Sequence, residues 1–385
     1  MSFFGSIQFF LLLILIMMPA VVLGLWGKSL RGYRTAVSVL MIGLALWPTK
    51  GQLIYLIAFY VLEFILVKVY LKLRLAQGDE RSAVVYRIFL FLSILPLICC
   101  KISEAGDGLS LGLFQFLGIS YLTFRVAQMI IEIYDGIIRE VRWLDFTDFL
   151  LLFTTFSAGP IDRSRRYMKD ADAHYTRDEY LALLGDGLLK ILIGVIYKFI
   201  LAAQVHKGVV FFQDPQSFLE FAGYSYSYGI YMFFDFAGYS AMAIGAGYIL
   251  GIKVPENFNK PFISLDMKDF WNRWHMTLSF WFRDFIFSRF MMLAIKGKWF
   301  ASRLTGASVG FIINMFIMGA WHGLAVNYIA YGLYHGVLLA LTEIYQKKSK
   351  FYKSHKKERW YKLVSWFITL NLVMFGFLLF SGKLI

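Results

Sequence analysis

Six histidines are the side chains of this sequence best suited to acid–base chemistry near neutral pH. Two of them stand in surroundings rich in aromatic residues and glycine, His275 in NRWHMTLSFWFRDF and His322 in MGAWHGLAVNY. A buried imidazole in a water-poor pocket can act as the general base that takes a proton from a hydroxyl attacking an acyl group. On residue type alone, a structural role in the core stays open for both.

The other histidines have simpler interpretations. His174 and His355 stand in charged segments, where we expect them to be solvated, and His206 ends a predicted span. We expect His335 to be a core residue hydrogen-bonded to a neighbour. The sequence contains no HExxH, P-loop or GxGxxG motif, so a metal or nucleotide site has no support.

Polar side chains inside apolar segments are a second set of candidates, because burying them in a membrane is costly. Arg125, Gln128 and Glu132 have the spacing i, i+3 and i+7, which places them on one helical face. They are expected to form an internal Arg–Glu ion pair or part of a functional site. Asp235 lies near Gly238 in YMFFDFAGYS, and is expected to cap a broken helix or to form a wall of a substrate cavity.

The composition indicates a protein whose solvent is mostly lipid. Apolar residues make up 59% of the chain and charged residues 17%, against about 25% charged residues in soluble domains. The net charge of +14 fits basic cytoplasmic loops and anionic lipid, and it also fits a basic dock for an acidic partner. Cys99 and Cys100 are adjacent in an apolar run, so we interpret them as buried small hydrophobes.

Apolar runs of about 20 residues predict membrane-spanning helices. The first run lacks the basic start of a signal peptide, so it is interpreted as a retained span that begins outside. The candidate spans are 8–26, 35–52, 53–71, 83–100, 109–135, 182–205, 217–251, 308–322, 325–345 and 361–381. The sequence therefore predicts a single all-α integral membrane domain over residues 1–385, with about 10–11 spans.

Loop charges predict two irregular segments. Segment 146–159 should dip into the membrane and return, and 217–251 should cross once with a break near Asp235–Gly238. The acidic loop 102–108 is expected outside, whereas 347–359 should be a solvated inner loop. The region of about 254–303 should be interfacial or partly re-entrant, with one apolar helical stripe formed by Trp271, Trp274, Leu278, Trp281 and Phe285.

At these residues the sequence resembles the membrane-bound O-acyltransferase (MBOAT) family, and within it the DltB-type teichoic acid D-alanyltransferase branch. The stretch around His275 also resembles the alginate O-acetyltransferase branch. The matching motifs are SYLTFRVAQMIIEIYDG at 120–136, FTTFSAGPIDRSRR at 153–166, YMFFDFAGYSAMAIG at 231–245, NFNKPFISLDMKDFWNRWHMTLSFWFRDF at 257–285 and MGAWHGLAVNYIAYGLYHG at 318–336.

The resemblance implies a ring of helices around a central funnel that narrows to a tunnel in the membrane. It implies transfer of D-alanine from the phosphopantetheine thioester of a small acidic cytoplasmic carrier protein (DltC-like) to lipoteichoic acid outside a Gram-positive plasma membrane. Apart from the phosphopantetheine that the carrier brings, no bound cofactor or metal is implied. Membrane lipid and small membrane or extracellular Dlt proteins are further expected partners, and nucleic acid is not.

The resemblance also assigns roles to residues. The family's invariant histidine corresponds to His322, predicted as the general base, and its second position to His275, predicted to position or polarise the thioester. Further candidates for the tunnel wall are Asp235, Arg125, Trp321, Trp274, Ser279 and Asn327. Candidates for docking the carrier are the basic residues Arg163, Arg165, Arg166, Arg283 and Arg289. The alternatives are an alginate-type polysaccharide O-acetyltransferase and a flippase or transporter.

Overall fold

The computed structural model describes residues 3–78, 80–105 and 115–384, and within these residues it contains helices and no strands. The start of the predicted span 109–135 and the end of the loop 102–108 lie outside the described residues. The α-helices are α1 Ile7–Leu25, α2 Arg31–Leu46, α3 Lys50–Ala76, α4 Ala83–Ala105, α5 Ile119–Tyr134, α6 Trp143–Leu150, α7 Ser164–Ala171, α8 Arg177–Val195, α9 Ala202–Phe211, α10 Phe218–Ile249, α11 Met267–Trp271, α12 Met276–Phe282, α13 Ser288–Lys296, α14 Arg303–His322, α15 Val326–Lys348, α16 Lys350–His355 and α17 Arg359–Phe380.

Six of the ten predicted spans are helices long and apolar enough to cross a membrane, counted over the described residues. The helices that meet both conditions are α1, α3, α4, α8 with α9 as one 35-residue helix, α14 and α17. The other four predicted spans also contain helices. Of these, α2 and α5 are 16 residues long, while α10 and α15 are rich in tyrosine and glycine. An all-α integral membrane protein is therefore confirmed.

The helices form two compact units. The first consists of Met1–Val195 and Tyr239–Pro255, and the second of Ile196–Gly238 and Glu256–Ile385.

In the first unit, α6 covers the start of segment 146–159, the rest of the segment is irregular, and a buried arginine satisfies its backbone. The chain leaves α6 after Leu150 and makes one 3₁₀ turn, Phe153–Thr155. Arg125 of α5 donates from Nη1 to the carbonyl oxygens of Phe149 and Leu150, each at 2.9 Å, and from Nη2 to that of Thr155 at 2.9 Å. These carbonyls lack helical partners, so the guanidinium replaces the water that a membrane interior cannot supply.

The predicted ion pair between Arg125 and Glu132 is wrong. Glu132 instead accepts a hydrogen bond from the Ser164 hydroxyl. Gln128 accepts one from Arg163 at 3.3 Å. The polar face of α5 therefore ties this helix to the segments that follow α6 instead of closing on itself.

A buried ion pair connects α2 with α6 in the same unit. Arg34 donates from Nε to Asp148 at 3.0 Å, and the side chains of both residues are at most 1% exposed. Thr35 donates to the same carboxylate at 2.9 Å, and Arg34 also reaches the Leu250 carbonyl oxygen at 3.1 Å. Each charge thus has several partners, as a buried pair requires.

The predicted break near Asp235–Gly238 is also wrong, because α10 is continuous for 32 residues. Asp235 caps no helix end. Its carboxylate forms an ion pair with Lys198, which lies in a π-helical turn, Ile196–Leu201, between α8 and α9. With its charge compensated by a side chain of a neighbouring helix, the carboxylate needs no free backbone N–H groups, and the helix has no reason to open.

The region 267–296 is not one helix, so the predicted continuous stripe of five residues is wrong. A turn separates α11 from α12, and a π-helical turn, Arg283–Phe287, joins α12 to α13. Trp271, Trp274, Leu278 and Trp281 are nevertheless buried. Apolar side chains therefore reach the core from α11, α12 and the turn between them, and helical periodicity alone does not describe them.

The segment 347–359 is more ordered than the predicted solvated loop. Helix α15 extends to Lys348, and Ser349 caps α16 by accepting from the backbone N–H of Tyr352 at 3.1 Å. His355 ends α16, where its Nδ1 lies 2.9 Å from the carbonyl oxygen of Phe351. Many of its lysines are exposed, as predicted.

Arg125→Leu should destabilise the protein by at least about 3 kcal/mol, because it leaves several buried carbonyl oxygens without a donor. Thermal unfolding of the detergent-solubilised protein measures the loss. Arg177→Leu, at the exposed start of α8, is the matched control and should unfold near the wild-type temperature. Equal unfolding temperatures for the two variants would show that the guanidinium does not hold the segment.

Candidate active site

His275 stands at a sharp turn between α11 and α12. Its backbone has φ +43°, a left-handed conformation that is uncommon for a residue other than glycine. Fully buried Asn257 holds the turn: its carbonyl oxygen accepts from the Met276 N–H at 2.8 Å, and its side chain accepts from the Thr277 hydroxyl at 2.6 Å. Strained backbone that its surroundings hold in place is characteristic of functional sites.

The His275 ring is buried and neutral. Its side chain is packed edge-on against Phe236, with ring centroids 4.7 Å apart. Burial, and to a smaller extent the charge of a protonated His322, lowers the pKa of the His275 imidazole to about 3. Among the described residues its Nε2 has no hydrogen-bond partner. The ring therefore presents an uncharged nitrogen that a ligand can use, and it lies near enough to His322 for the two rings to interact electrostatically.

His322 is the last residue of α14 and is half-buried in aromatic side chains. The ring centroids nearest to its imidazole are those of Trp321 at 4.5 Å, Phe380 at 5.0 Å, Tyr328 at 6.2 Å and Tyr331 at 6.3 Å. Such rings fix the orientation of the imidazole and keep water away from it.

Two glycines bring α15 close enough to supply these rings. A Cβ added at Gly319 would lie 2.4 Å from the Tyr328 carbonyl oxygen, and one added at Gly332 would lie 2.4 Å from that of Met315. Small residues that let helix backbones approach are typical of membrane interiors. Here they place the start of α15 beside His322.

Asn327 secures the other wall of the aromatic pocket. Its Nδ2 donates to the carbonyl oxygen of Phe380 at 2.9 Å, which ties the start of α15 to the end of α17. Phe380 packs edge-on against His322. Asn327 was predicted as a tunnel-wall residue. Its side-chain amide instead donates to the protein backbone and positions Phe380, which packs against His322.

A cavity of about 280 Å³ lies along α11, α12 and α14 in the second unit. Three of its lining residues, Trp271, Asn272 and Ser279, flank His275 in the sequence, and two more, Lys268 and Arg283, are basic. The full lining is Lys268, Trp271, Asn272, Ser279, Phe280, Arg283, Phe287, Phe311, Asn314, Met315, Met318 and Leu339.

Two buried polar atoms in this wall lack partners among the described residues. They are the Trp271 indole Nε1, a donor, and the Asn314 Oδ1, an acceptor. The two residues are 7% exposed each. Leaving such a group unpaired costs about 1–3 kcal/mol, so a donor and an acceptor left open in one cavity indicate a ligand that carries both. Sequence reasoning missed Asn314 and assigned Trp271 only to the apolar stripe.

The cavity and His322 share one face of α14. Asn314, Met318 and His322 are spaced i, i+4 and i+8, which aligns their side chains along the helix. Asn314 and Met318 line the cavity, so His322 lies one turn beyond its wall, about 12 Å along the helix from Asn314. This spacing was visible in the sequence, but an asparagine in an apolar helix carried no signal by itself.

The remaining tunnel-wall candidates have different positions. Ser279 lines the cavity, and its hydroxyl donates to the Trp274 carbonyl oxygen at 3.1 Å. Trp274 is 5% exposed and packs into an aromatic cluster that includes Phe258 and Phe377, so it is a core residue and not an open wall. Trp321 is the ring nearest to His322.

Arg125 and Asp235 do not line this cavity. Arg125 donates to the irregular backbone after α6 in the first unit, and Asp235 pairs with Lys198. The side chain of each residue therefore has a structural partner within the protein, and neither forms part of the wall of this cavity.

The five arginines predicted to dock a partner differ in their exposure and in the side chains they contact. Arg166 is committed to Asp162 and Asp170, and Arg163 to Gln128, which argues against these two as docking residues. Arg165 is exposed in the first unit. In the second, Arg283 is 53% exposed beside Asp284 and 4.5 Å above the Phe280 ring, and Arg289 is half-buried.

His335 is a core residue, as expected, but the predicted hydrogen bond to a neighbour is wrong. It is 1% exposed, and neither ring nitrogen has a partner among the described residues. Its ring packs against Tyr331 at 4.5 Å and Trp271 at 5.3 Å. Since Tyr331 also contacts His322, His335 supports the aromatic pocket from behind.

Comparison with known proteins identifies related sequences over the whole chain. The family model described as MBOAT, membrane-bound O-acyltransferase family, matches residues 50–382. A protein named teichoic acid D-alanyltransferase from Bacillus subtilis (strain 168) is 41% identical over 392 residues, covering 100% of this chain and 98% of the relative. One of the same name from Streptococcus thermophilus is 40% identical, covering 99% of this chain and 95% of the relative.

More distant relatives cover less of both proteins. A probable alginate O-acetylase from Pseudomonas syringae pv. tomato is 30% identical over 275 residues, which is 69% of this chain and 49% of the relative.

Proposed function

Because the chain belongs to the membrane-bound O-acyltransferase family, we propose that this multi-pass membrane acyltransferase moves D-alanine from a carrier-protein thioester to hydroxyl groups of teichoic acid. The names of the full-length relatives support D-alanine as the acyl group and teichoic acid as the acceptor. The observation that carries the mechanism is the cavity along α11, α12 and α14, whose wall ends at Met318, one turn of α14 before His322.

The donor enters this cavity as the phosphopantetheine arm of the carrier. The arm contains two amide groups, each with an N–H donor and a carbonyl acceptor. The Trp271 indole N–H and the side-chain oxygen Oδ1 of Asn314 are both unpaired within the described residues, and they match one acceptor and one donor of such amides. Arg283, more than half exposed in the cavity wall, places positive charge where the arm's phosphate would enter, whereas Lys268 in the same wall is paired with Glu343.

His322 is the general base. Its imidazole takes the proton of the acceptor hydroxyl as the oxygen attacks the thioester carbonyl. The new carbon–oxygen bond forms, the carbon–sulfur bond breaks, and the proton passes to the departing pantetheine sulfur. The thioester is already activated, so the step needs neither ATP nor a metal ion.

His275 acts on the thioester carbonyl. A neutral ring whose Nε2 has no partner among the described residues can donate to the oxygen that becomes negative during attack. A lowered pKa keeps this ring from competing with His322 as a base. The two histidines thus take different roles because their burial differs: His275 is 5% exposed, and His322 is half-buried.

An acidic carrier is recognised by exposed positive charge. Arg283 lies at the cavity wall and is more than half exposed, so it combines contact with the carrier and access to the arm. Arg165 and Arg289 extend the positive charge in their respective units. Charge complementarity of this kind chiefly accelerates association.

His322→Ala should reduce D-alanyl transfer at least about 100-fold, because general-base catalysis contributes at least that factor. The assay uses purified protein in liposomes, a D-alanyl carrier-protein thioester and lipoteichoic acid. His275→Ala should also reduce transfer, whereas His174→Ala, at an exposed position, should leave it unchanged. Transfer at the wild-type rate by both of the first two variants would refute the mechanism, and efficient use of an acetyl donor would favour polysaccharide O-acetylation.

Trp271→Phe and Asn314→Leu should each raise the KM for the carrier thioester by about tenfold, since each removes one hydrogen bond to the arm but keeps the shape of the wall. Steady-state kinetics at saturating acceptor measure the change. Trp299→Phe and Asn371→Leu, both at exposed positions, are matched controls that should leave KM unaltered. An unchanged KM in both cavity variants would place the arm elsewhere.

A further inference from the structure

A groove of about 560 Å³ lies between α11, α15, α16 and α17, away from the two histidines described above. It is lined by basic side chains at one end and by apolar side chains at the other, with aromatic rings between them. The residues used in the argument are Lys356, Lys357 and Lys362 at the basic end, and Val364, Ile368 and Leu372 at the apolar end.

The basic end carries three exposed lysines and few free acids. Lys356 lies 5.6 Å above the Tyr352 ring. Asp266 also lines the groove, but it accepts from the backbone N–H groups of Lys268 and Asp269 and from Gln346, each at 2.9 Å. Glu358, next to Lys357 in the sequence, accepts from the Trp360 indole. The lysine charges therefore exceed the acidic charge and are available to a ligand.

Aromatic rings separate the two ends. Tyr345, Tyr352 and Tyr361 pack together, with centroids 5.6 Å apart for the first two and 6.2 Å apart for the last two. The Tyr361 hydroxyl lies 3.2 Å from that of Tyr345. Trp360 completes this part of the lining. Tyrosine and tryptophan in this arrangement are typical of the level of the lipid head groups.

The apolar end follows α17 into the membrane. Val364 and Ile368 are spaced i and i+4, and are 48% and 52% exposed. Leu372 continues the row one turn further on. Since α17 is long and apolar enough to span the bilayer, this exposed row faces hydrocarbon and offers a track for an acyl chain.

We propose that this groove binds one anionic phospholipid of the cytoplasmic leaflet, with its phosphate on the three lysines and an acyl chain along α17. The order of basic, aromatic and apolar residues matches the order of phosphate, glycerol and acyl chain in such a lipid. A soluble acidic protein would use the lysines but not the apolar track. The site does not depend on the proposed acyl transfer, because it shares no residue with the cavity beside His275.

Native mass spectrometry of the delipidated full-length protein tests the proposal. Phosphatidylglycerol should bind at least about tenfold more tightly than phosphatidylcholine with the same acyl chains. Lys356→Gln/Lys357→Gln/Lys362→Gln should remove this preference. The control Lys348→Gln/Lys350→Gln/Lys353→Gln removes equal charge from lysines that do not line the groove, and should keep it. Ile368→Trp fills the apolar end without changing the charge, and should weaken phosphatidylglycerol binding at least about fivefold.

Three outcomes would overturn the proposal. Equal loss in the two lysine triples would indicate general surface charge. Competition by soluble glycerol phosphate as effective as by phosphatidylglycerol would indicate a site for phosphate alone. Unchanged lipid binding in the groove triple, together with loss of carrier-protein binding, would indicate a protein dock. If the triple does not fold, Ile368→Trp decides, and unaltered lipid binding in that variant refutes the acyl track.

Discussion

A polar group inside a protein surrounded by lipid has to find its hydrogen-bond partner within the protein, because the membrane interior offers no water. This constraint explains the first unit. The irregular segment after α6 exists there because Arg125 supplies donors to its carbonyl oxygens. The Arg34 and Asp148 charges are tolerated because Thr35 and the Leu250 carbonyl oxygen complete their hydrogen bonding. Each of these charged groups would destabilise the protein if it were buried alone, and its hydrogen-bonded network removes that penalty.

The second unit meets the same constraint differently. In the cavity wall, Trp271 and Asn314 each keep a buried polar atom without a partner among the described residues, and His275 keeps a free ring nitrogen at a strained turn close by. Unpaired polar groups of this kind reduce the stability of the folded protein. A ligand that forms hydrogen bonds with them would offset this loss. The unpaired groups of the free protein therefore favour recognition of an amide-containing arm. The aromatic pocket around His322 supplies the other requirement, a base shielded from water.

The sequence alone predicted much of this arrangement and missed specific parts. Apolar runs located the helices, and the aromatic and glycine surroundings singled out His275 and His322. The partners of Arg125 could not be predicted, because carbonyl oxygens 24 to 30 residues away leave no trace in residue type. Periodicity failed between Trp271 and Leu278, because buried Asn257 holds a turn there. The break near Asp235 was wrong because Lys198, from another helix, compensates the carboxylate.

The donor thioester is expected to pass along the cavity wall to the space between the imidazoles of His275 and His322. The structure of the protein bound to a stable amide analogue of D-alanyl pantetheine tests it most directly. We expect the arm to lie along Trp271 and Asn314, with the alanyl carbonyl oxygen within hydrogen-bond reach of His275. The carbonyl carbon should be open to attack from the side of His322. An arm bound outside this cavity, or a carbonyl out of reach of both imidazoles, would contradict the account.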